Sequence, residues 1–199
     1  GYGIEIGCEN IEKTTDNIIV RNNILFFNQI CAIALGGYDY PGVSGKVTNC
    51  KILNNTCFKN DYANQGTGEL YLTYSENSII QNNIFYLTTQ NILAFTELGQ
   101  PSLNFNYNLF FSENDPTNME TDWNGNYYNS FAAFKTGTSS NQNSAISDPQ
   151  FFIDPLSSPD APPNFHLTFS SAAINTGNPS FVPAATERDI DNEYRKTGI

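Results

Sequence analysis

The sequence predicts an all-β solenoid, in which short strands coil around a core and successive coils stack. One unit recurs four times in the first half of the chain: an apolar stretch, an asparagine and a second apolar stretch. A repeat period of about 20 to 50 residues is typical of solenoids and propellers. The units are rich in β-branched and aromatic residues and are broken by glycine and asparagine, which favours strands. The central asparagines, spaced 32, 28 and 25 residues apart, are Asn23, Asn55, Asn83 and Asn108.

A second short strand with alternating apolar residues precedes each asparagine-centred unit. One coil therefore contains a strand, a turn, another strand and a turn that returns to the start. A single coil cannot bury its own apolar face, whereas stacked coils share a continuous core. These alternating strands lie at residues 3–7, 32–36, 69–73 and 92–96.

The recurring asparagine has a structural explanation. A tight turn between two strands favours a residue that tolerates left-handed backbone geometry, as asparagine does. Coils stack about 4.8 Å apart, so equivalent asparagines lie above one another. We therefore expect their side chains to form a hydrogen-bonded ladder.

Composition narrows the classes of partner. The chain has 199 residues, enough for one sizeable domain, and its net charge is 9 − 20 = −11. Such a charge argues against binding to nucleic acid or to an anionic membrane. No apolar run is long enough to span a bilayer, so we expect no membrane insertion. With 28 asparagines and only nine lysines and arginines, the balance favours a secreted, turn-rich β protein, which we expect to be a monomer.

The ends of the chain and its cysteines give further expectations. Gly1 falls in what looks like the middle of a repeat, which predicts a mature or excised fragment with earlier coils before it. The four cysteines lack the paired spacing of a zinc site. They are expected either to pack as small apolar residues or to form one disulfide between neighbouring coils. They are Cys8, Cys31, Cys50 and Cys57.

Three regions follow from the pattern. Residues 1–112 carry the coils, with longer loops at 37–45 and 59–68. Residues 113–145, rich in asparagine, glycine, serine and threonine, predict a long ordered loop excursion. Residues 146–199 predict a C-terminal extension that packs on the solenoid as a cap, because an open last coil would expose core and sheet edge.

The repeats over roughly residues 1–112 resemble the right-handed parallel β-helix repeats of the pectate-lyase-like superfamily. The C-terminal segments 148–155, 165–167, 173–177 and 188–195 resemble the end region of secreted bacterial β-helix proteins, with departures at Ala172, Asn175 and Asn192. The resemblance implies a right-handed parallel β-helix and an extracellular or cell-surface location. It leaves the activity open, since this fold hosts lyases, hydrolases, epimerases and adhesins.

Alternation predicts two outward columns on the sheet formed by the first strand of each coil. With Ile4/Ile6, Ile33/Leu35, Leu70/Leu72 and Leu93/Phe95 turned inward, one outward column is Glu5, Ala34, Tyr71 and Ala94. The other is Gly3, Ala32, Glu69 and Ile92. Small residues beside acidic and aromatic ones leave room for a sugar ring. Tyr38, Asp39 and Tyr40 follow the second strand and are expected to overhang the same surface.

These side chains are the predicted site. Glu5, Asp39 and Glu69 are the candidate catalytic residues, and Tyr38, Tyr40 and Tyr71 are the candidate substrate-binding residues. The three carboxylates fit either of two chemistries: acid and base or nucleophile on a glycosidic bond, or oxygen ligands for Ca²⁺. Sequence alone does not choose between these chemistries.

Other candidates are weaker. A polysaccharide lyase needs a basic residue near the acidic sugar. Arg21 falls on a different face of the coil, and no acidic partner is identified for Lys13, Lys46, Lys51 or Lys59. The single histidine, His166, belongs to the C-terminal motif and is expected to be structural. Asp189, Asp191 and Glu193 are expected to form a solvated acidic turn.

The sequence thus predicts an extracellular carbohydrate-active protein that binds a polysaccharide on the outer face of the sheet. Cleavage by lyase or hydrolase chemistry is left open. A negative chain favours a neutral glycan over an acidic one. Two alternatives remain: a non-catalytic surface, adhesion or spacer module, and a fragment of a larger polysaccharide lyase or hydrolase.

Overall fold

A computed structural model describes residues 1–96, 102–151 and 164–195. The chain is a parallel β-solenoid of about four turns, which confirms the predicted all-β parallel β-helix.

The strands follow one another turn by turn. The first turn comprises β1 (Ile4–Gly7), β2 (Thr14–Asp16), β3 (Ile19–Arg21) and β4 (Ile24–Phe26), and the second β5 (Ile33–Gly36), β6 (Lys46–Thr48), β7 (Lys51–Leu53) and β8 (Thr56–Phe58). The third comprises β9 (Leu70–Thr73), β10 (Ser75–Glu76), β11 (Ile79–Gln81) and β12 (Ile84–Tyr86), and the fourth β13 (Ile92–Thr96), β14 (Asn104–Asn106) and β15 (Leu109–Phe111). Then follow β16 (Glu120–Trp123), β17 (Asn126–Tyr128), α1 (Phe131–Thr138) and β18 (Ala145–Ile146).

Equivalent strands of successive turns pair in parallel and form four sheets. The first sheet contains β1, β5, β9, β13 and β16, with β17 added antiparallel at its end. The second contains β2, β6 and β10, the third β3, β7, β11 and β14, and the fourth β4, β8, β12, β15 and β18. Each sheet therefore runs along the solenoid axis, and the paired strand residues have equivalents in the neighbouring turn.

The register of the first sheet matches the predicted columns over its first three strands. Ile4 pairs with Ile33 and Ile33 with Leu70; Ile33 and Leu70 belong to the core, and Ile4 packs against it. Glu5 pairs with Ala34, and Ala34 with Tyr71, on the other face. The period-2 alternation therefore predicted correctly which side chains share a column.

The fourth strand departs from this register. Thr96 pairs with Leu72, one residue away from the expected alignment, and the pairing of β13 with β16 is irregular between Ile92 and Ala94. Ala94 is fully buried in the core cluster, so its predicted place in the outward column with Tyr71 is wrong. The side chain of Phe95 lies outside the described part of the chain.

The asparagine ladder is present. Asn23 donates from its backbone and side-chain nitrogens to the Oδ1 of Asn55, and Asn55 donates in the same way to Asn83. Asn83 donates likewise to Asn108, and the backbone nitrogen of Asn108 donates to Ser144. The ladder ties all four turns to one another.

The left-handed turn residue is not the ladder asparagine, contrary to expectation, but the residue before it. Asn22, Asn54, Asn82 and Tyr107 have φ of 59°, 56°, 60° and 55°. A left-handed residue reverses the chain between the third and fourth sheets, and the next residue then points its amide inward. We call this stacked row of four residues the corner row.

Residues 113–145 are more ordered into strands than the predicted loop excursion. Here β16 extends the first sheet and β18 extends the fourth. Between them, α1 buries Phe131 and Phe134 against the core aromatics Phe105, Phe110 and Trp123. This segment therefore covers core residues of the last turn, which is the role that we had expected of residues 146–199.

The described part of the C-terminal extension packs along the side of the solenoid. Phe165 contacts Phe26 and Phe58 of the fourth sheet at ring distances of 5.7 and 5.5 Å. The backbone nitrogen of Asn178 donates to the Oδ1 of Asn82, and Glu187 accepts from Asn22. The extension thus bridges the fourth sheet and the corner row.

The four cysteines are all free and buried, so of the two expected states the structure has the packed thiols. Burial raises the pKa of Cys31, Cys50 and Cys57, which keeps these thiols protonated. Within the described residues, no helix has the length and apolarity to cross a bilayer.

Candidate functional site

A shallow groove lies on the outer face of the first sheet, where the sequence predicted the site. Glu5 of β1, Tyr71 of β9 and Tyr38, which follows β5, all line it. We call it the outer-face groove; it has a volume of about 70 Å³. Its full lining is Tyr2, Glu5, Ile6, Cys8, Glu9, Ala34, Leu35, Gly36, Gly37, Tyr38, Ser44, Tyr71 and Thr73.

Small residues form part of this lining, as expected, and one of them is required by geometry. Gly36 has a φ of 125°, and a Cβ there would lie 1.3 Å from the carbonyl oxygen of Thr73. Only glycine fits such a close approach. Directly after it, Tyr38 is 63% exposed and is free to stack on a ligand. Glu5 is exposed as well, and burial together with this carboxylate raises the pKa of Tyr2.

Asp39 does not line the groove, although it is exposed. Its backbone nitrogen donates to the Oγ of Ser44, and its carbonyl oxygen accepts from the backbone nitrogens of Val43 and Ser44. These bonds close a turn over residues 39–44. Asp39 is therefore a residue of this turn and is not among the residues that line the groove.

Glu69 is not an exposed carboxylate. Only 1% of the residue is accessible, and Asn60 donates to both of its oxygens, from N to Oε1 at 2.9 Å and from Nδ2 to Oε2 at 2.7 Å. Burial raises the pKa of Glu69 to about 8, against the opposing effect of the Asn60 bonds. Its predicted position on the outer surface beside Glu5 is wrong, because its side chain completes a buried hydrogen-bond network.

Tyr40 already has partners within the protein. Its ring lies 5.7 Å from that of Tyr74, and the Nζ of Lys46 sits 5.7 Å from its centroid. Tyr40 is half-buried and does not line the outer-face groove. Of the three predicted tyrosines, the structure brings together Tyr38 and Tyr71.

The structure does not gather the three acids into a calcium site. Among the described residues, no three histidine, cysteine or acidic side chains are grouped so as to hold a metal ion. Glu5, Asp39 and Glu69 lie in three separate environments, so the calcium interpretation of this set lacks a ligand cluster.

Three basic residues have acidic partners that sequence did not identify. Lys46 and Lys59 lie 2.8 Å from Glu76 and Glu113, and Arg21 lies 3.5 Å from Glu187. Side chains held in ion pairs are poor candidates for the base of a lyase.

Sequence reasoning missed a larger groove between the corner row and the C-terminal extension. We call it the corner groove; it has a volume of about 860 Å³. All four corner-row residues line it, and the other wall includes Phe165, His166, Phe181, Arg188 and Asp191. The available signal was the pair of asparagines in the first three repeats, and sequence did not indicate that the extension faces the first residue of each pair.

His166 lies in the corner groove and is held on both sides. Its Nε2 is 2.8 Å from Oδ1 of Asp191, and its Nδ1 contacts Oδ1 of Asn164. Both ring nitrogens are thus engaged, which leaves neither to activate a serine. The structural role expected of His166 agrees with this geometry.

Comparisons with known proteins find a relative but do not assign the chain to a family. No protein-family model matches the chain, and no solved structure matches it. The uncharacterized protein YwoF of Bacillus subtilis (strain 168) is 28% identical over 151 residues, which cover 75% of this chain. The chain spans about a third (32%) of that relative's length.

Proposed function

We propose that this protein is an extracellular, polysaccharide-binding β-helix of the pectate-lyase-like superfamily. Its C-terminal region would be that of secreted bacterial β-helix proteins, and the ligand would bind in the outer-face groove. The observation that carries the proposal is the meeting of Glu5, Tyr38 and Tyr71 around small residues on one solvent-facing surface.

The chemistry of this groove suits a sugar. An exposed tyrosine offers an apolar face to a pyranose ring and a hydroxyl group at its edge. Carboxylates accept hydrogen bonds from sugar hydroxyls, and Glu5 and Glu9 both line the groove. With a net charge of −11, the protein favours a neutral glycan over an acidic one.

Binding without cleavage is the better supported form of this proposal. Glycosidases place two carboxyl groups about 5 to 9.5 Å apart across the scissile bond. Of the three predicted acids, only Glu5 lines the groove, because Asp39 belongs to a turn and Glu69 is buried. Cleavage is the second candidate, and the presence of Glu9 beside the groove makes Glu5 and Glu9 the pair that would carry it.

The test is a glycan array combined with a polysaccharide-degradation screen on the purified chain, with and without Ca²⁺. We expect binding of a neutral glycan that weakens in Glu5→Gln and Tyr38→Ala. Tyr62→Ala is the matched control, because Tyr62 is 67% exposed and does not line the groove. Product release that is lost in Glu9→Gln would establish cleavage.

Absence of binding by a folded sample would refute the proposal and favour a spacer module. Binding that persists in Glu5→Gln and Tyr38→Ala would refute the choice of groove.

A further inference from the structure

We propose that the corner groove is a second ligand site, which takes a short, neutral, polyhydroxylated ligand such as an oligosaccharide. Its volume of about 860 Å³ is within the range of small-molecule sites, about 300 to 1,000 Å³, whereas the outer-face groove is far smaller. The proposal stands on separate residues and does not depend on the outer-face groove.

The corner groove is long and regular because its floor is a repeat. Asn22, Asn54, Asn82 and Tyr107 occupy the same left-handed position in four successive turns. With a spacing of about 4.8 Å between turns, the row extends about 14 Å along the solenoid. An elongated ligand can therefore contact side chains from several turns.

The C-terminal extension contacts the first and third asparagines of this row. The Nδ2 of Asn22 donates to Oε1 of Glu187 at 2.8 Å, and the Oδ1 of Asn82 accepts from the backbone nitrogen of Asn178 at 2.7 Å. Asn54 lies between them, and its buried Nδ2 has no hydrogen-bond partner among the described residues. The same holds for the buried Oδ1 of Asn22.

A third buried atom without a hydrogen-bond partner, the Nε of Arg195, belongs to the opposite wall. The Nδ2 of Asn54 and this Nε are donors, and the Oδ1 of Asn22 is an acceptor. A hydroxyl group both donates and accepts, so a polyol satisfies all three atoms, whereas a carboxylate leaves the acceptor and a cation leaves the donors without a partner. Buried polar atoms without partners are rare and costly, which gives such a ligand a source of affinity once these side chains turn towards the groove.

The floor offers no free backbone N–H group to an extended peptide. Peptides bind sheet edges through main-chain hydrogen bonds, but the backbone nitrogens of the corner row are already used. Those of Asn22, Asn54 and Asn82 donate to Leu53, Gln81 and Tyr107 of the next turn at 3.2, 3.3 and 3.0 Å. A ligand that relies on side-chain contacts is therefore favoured over a peptide.

The ionisable residues of the opposite wall contact one another or neighbouring groups. The Nε2 of His166 lies 2.8 Å from Asp191, and the Nε of Arg195 lies 3.7 Å from Glu187, which is an ion-pair contact but too long for a hydrogen bond. The guanidinium of Arg188 lies 3.5 Å from the ring centroid of Tyr194 and donates to the carbonyl oxygen of Asn192. With these charges engaged, the wall favours an uncharged ligand over an ion. Phe165 and Phe181 add apolar surface for a sugar face.

The experiment is an NMR titration of the ¹⁵N-labelled full chain with maltotriose, xylotriose and cellotriose, and with uncharged acetyl-trialanine amide as the peptide probe. We expect one trisaccharide to shift the backbone amides of Asn54, Asn82 and Thr176. Asn54→Gly should weaken this binding about fivefold or more, because it removes the central amide and keeps the left-handed backbone. Asn77→Gly is the matched control, since Asn77 also has positive φ, is exposed and lies outside the groove.

The outcomes separate the two sites. Shifts at the corner row that Asn54→Gly weakens and Asn77→Gly leaves intact support the proposal. Shifts confined to Tyr38 and Tyr71 support the outer-face groove and overturn the corner site. A response to the peptide alone, no response to any trisaccharide at the corner row, or equal binding by both glycine variants overturns it too.

Discussion

Glu69 accepts from Asn60 the same pair of hydrogen bonds that Asn83 accepts from Asn55. In both cases the backbone nitrogen and the Nδ2 of the donor asparagine donate to one acceptor side chain, both to the Oδ1 of Asn83 and one to each carboxylate oxygen of Glu69. Asn28 donates likewise to Asn60, so Asn28, Asn60 and Glu69 form a second, shorter ladder. A carboxyl group has replaced the amide in its last position.

Because this carboxyl group is buried, Glu69 should make stability depend on pH. Its pKa rises from 4.5 to about 8 on folding, so between these values the folded chain holds a proton that the unfolded chain releases. The contribution of Glu69 to the free energy of unfolding is then full below pH 4.5 and falls as pH rises to 8. The slope is at most about 1.4 kcal/mol per pH unit. Urea unfolding of wild type and Glu69→Gln across this range measures it, and we expect the variant to lack this slope.

Glu5→Gln is the control, because Glu5 is an exposed carboxylate in β1 of the same sheet. Glutamine at position 69 keeps an oxygen that can accept both bonds from Asn60, as Asn83 does from Asn55. If the stabilities of wild type and Glu69→Gln run parallel between pH 4.5 and 8, Glu69 does not bind a proton on folding.

The ladder of Asn23, Asn55, Asn83 and Asn108 should lose more stability when a middle asparagine is replaced than when an end one is. Asn83→Ala leaves two donors of Asn55 without an acceptor and removes one donor each from the carbonyl groups of Ile52 and Gln81. We expect a loss of about 3 kcal/mol or more in the free energy of unfolding. Asn23→Ala, at the less buried end of the ladder, should cost about 1 kcal/mol.

Equilibrium urea unfolding of the two alanine variants measures this difference. Equal losses for Asn83→Ala and Asn23→Ala would mean that burial within the ladder does not matter.

The repeat and its alternation were enough to predict most of the fold. The pairing of Glu5 with Ala34 and Tyr71 follows from a period of two and from stacking, both of which are local rules. Alternation failed at Ala94, where the strand is irregular, because a one-residue shift moves side chains to the other face.

The site was harder to predict, because it depends on loops and on distant contacts. Glu69 follows the alternating pattern of an outward residue, yet Asn60 in the preceding loop binds its carboxyl group. The corner groove depends on a contact between Asn82 and Asn178, which are 96 residues apart in sequence. Neither contact leaves a local signal.

Tyr38 and Tyr40 are two residues apart and should give opposite results when replaced by alanine. Tyr38 lines the outer-face groove, so Tyr38→Ala should weaken glycan binding about three- to tenfold with little change in stability. The ring of Tyr40 packs against Tyr74, and the Nζ of Lys46 lies over it. Tyr40→Ala should therefore lower the free energy of unfolding by about 1 kcal/mol and leave glycan binding unchanged.

Binding titrations with the glycan found in the array, and thermal unfolding of both variants, test this pair. A loss of binding in Tyr40→Ala with none in Tyr38→Ala would reverse the assignment of the two rings.

Glu187 should make attachment of the C-terminal extension sensitive to acid. Burial alone would raise the pKa of Glu187, but bonds from Asn22 and Ala184 and the charges of Arg21 and Arg195 outweigh it and lower this pKa. A lowered pKa means that the stabilisation is present above the unfolded value of 4.5 and is lost as pH falls through the folded value. We therefore expect acid to release the extension before the solenoid unfolds.

Hydrogen-exchange protection of the backbone amides of Asn178 and Ala184, compared with that of Ile80 in the core, measures this release. Glu187→Gln should lower protection of the extension already at neutral pH and should abolish its acid dependence, because glutamine does not titrate. Glu193→Gln, an exposed residue of the same extension, should retain the wild-type profile. Simultaneous loss of protection at Ile80 and Asn178 would show that the extension and the solenoid open as one unit.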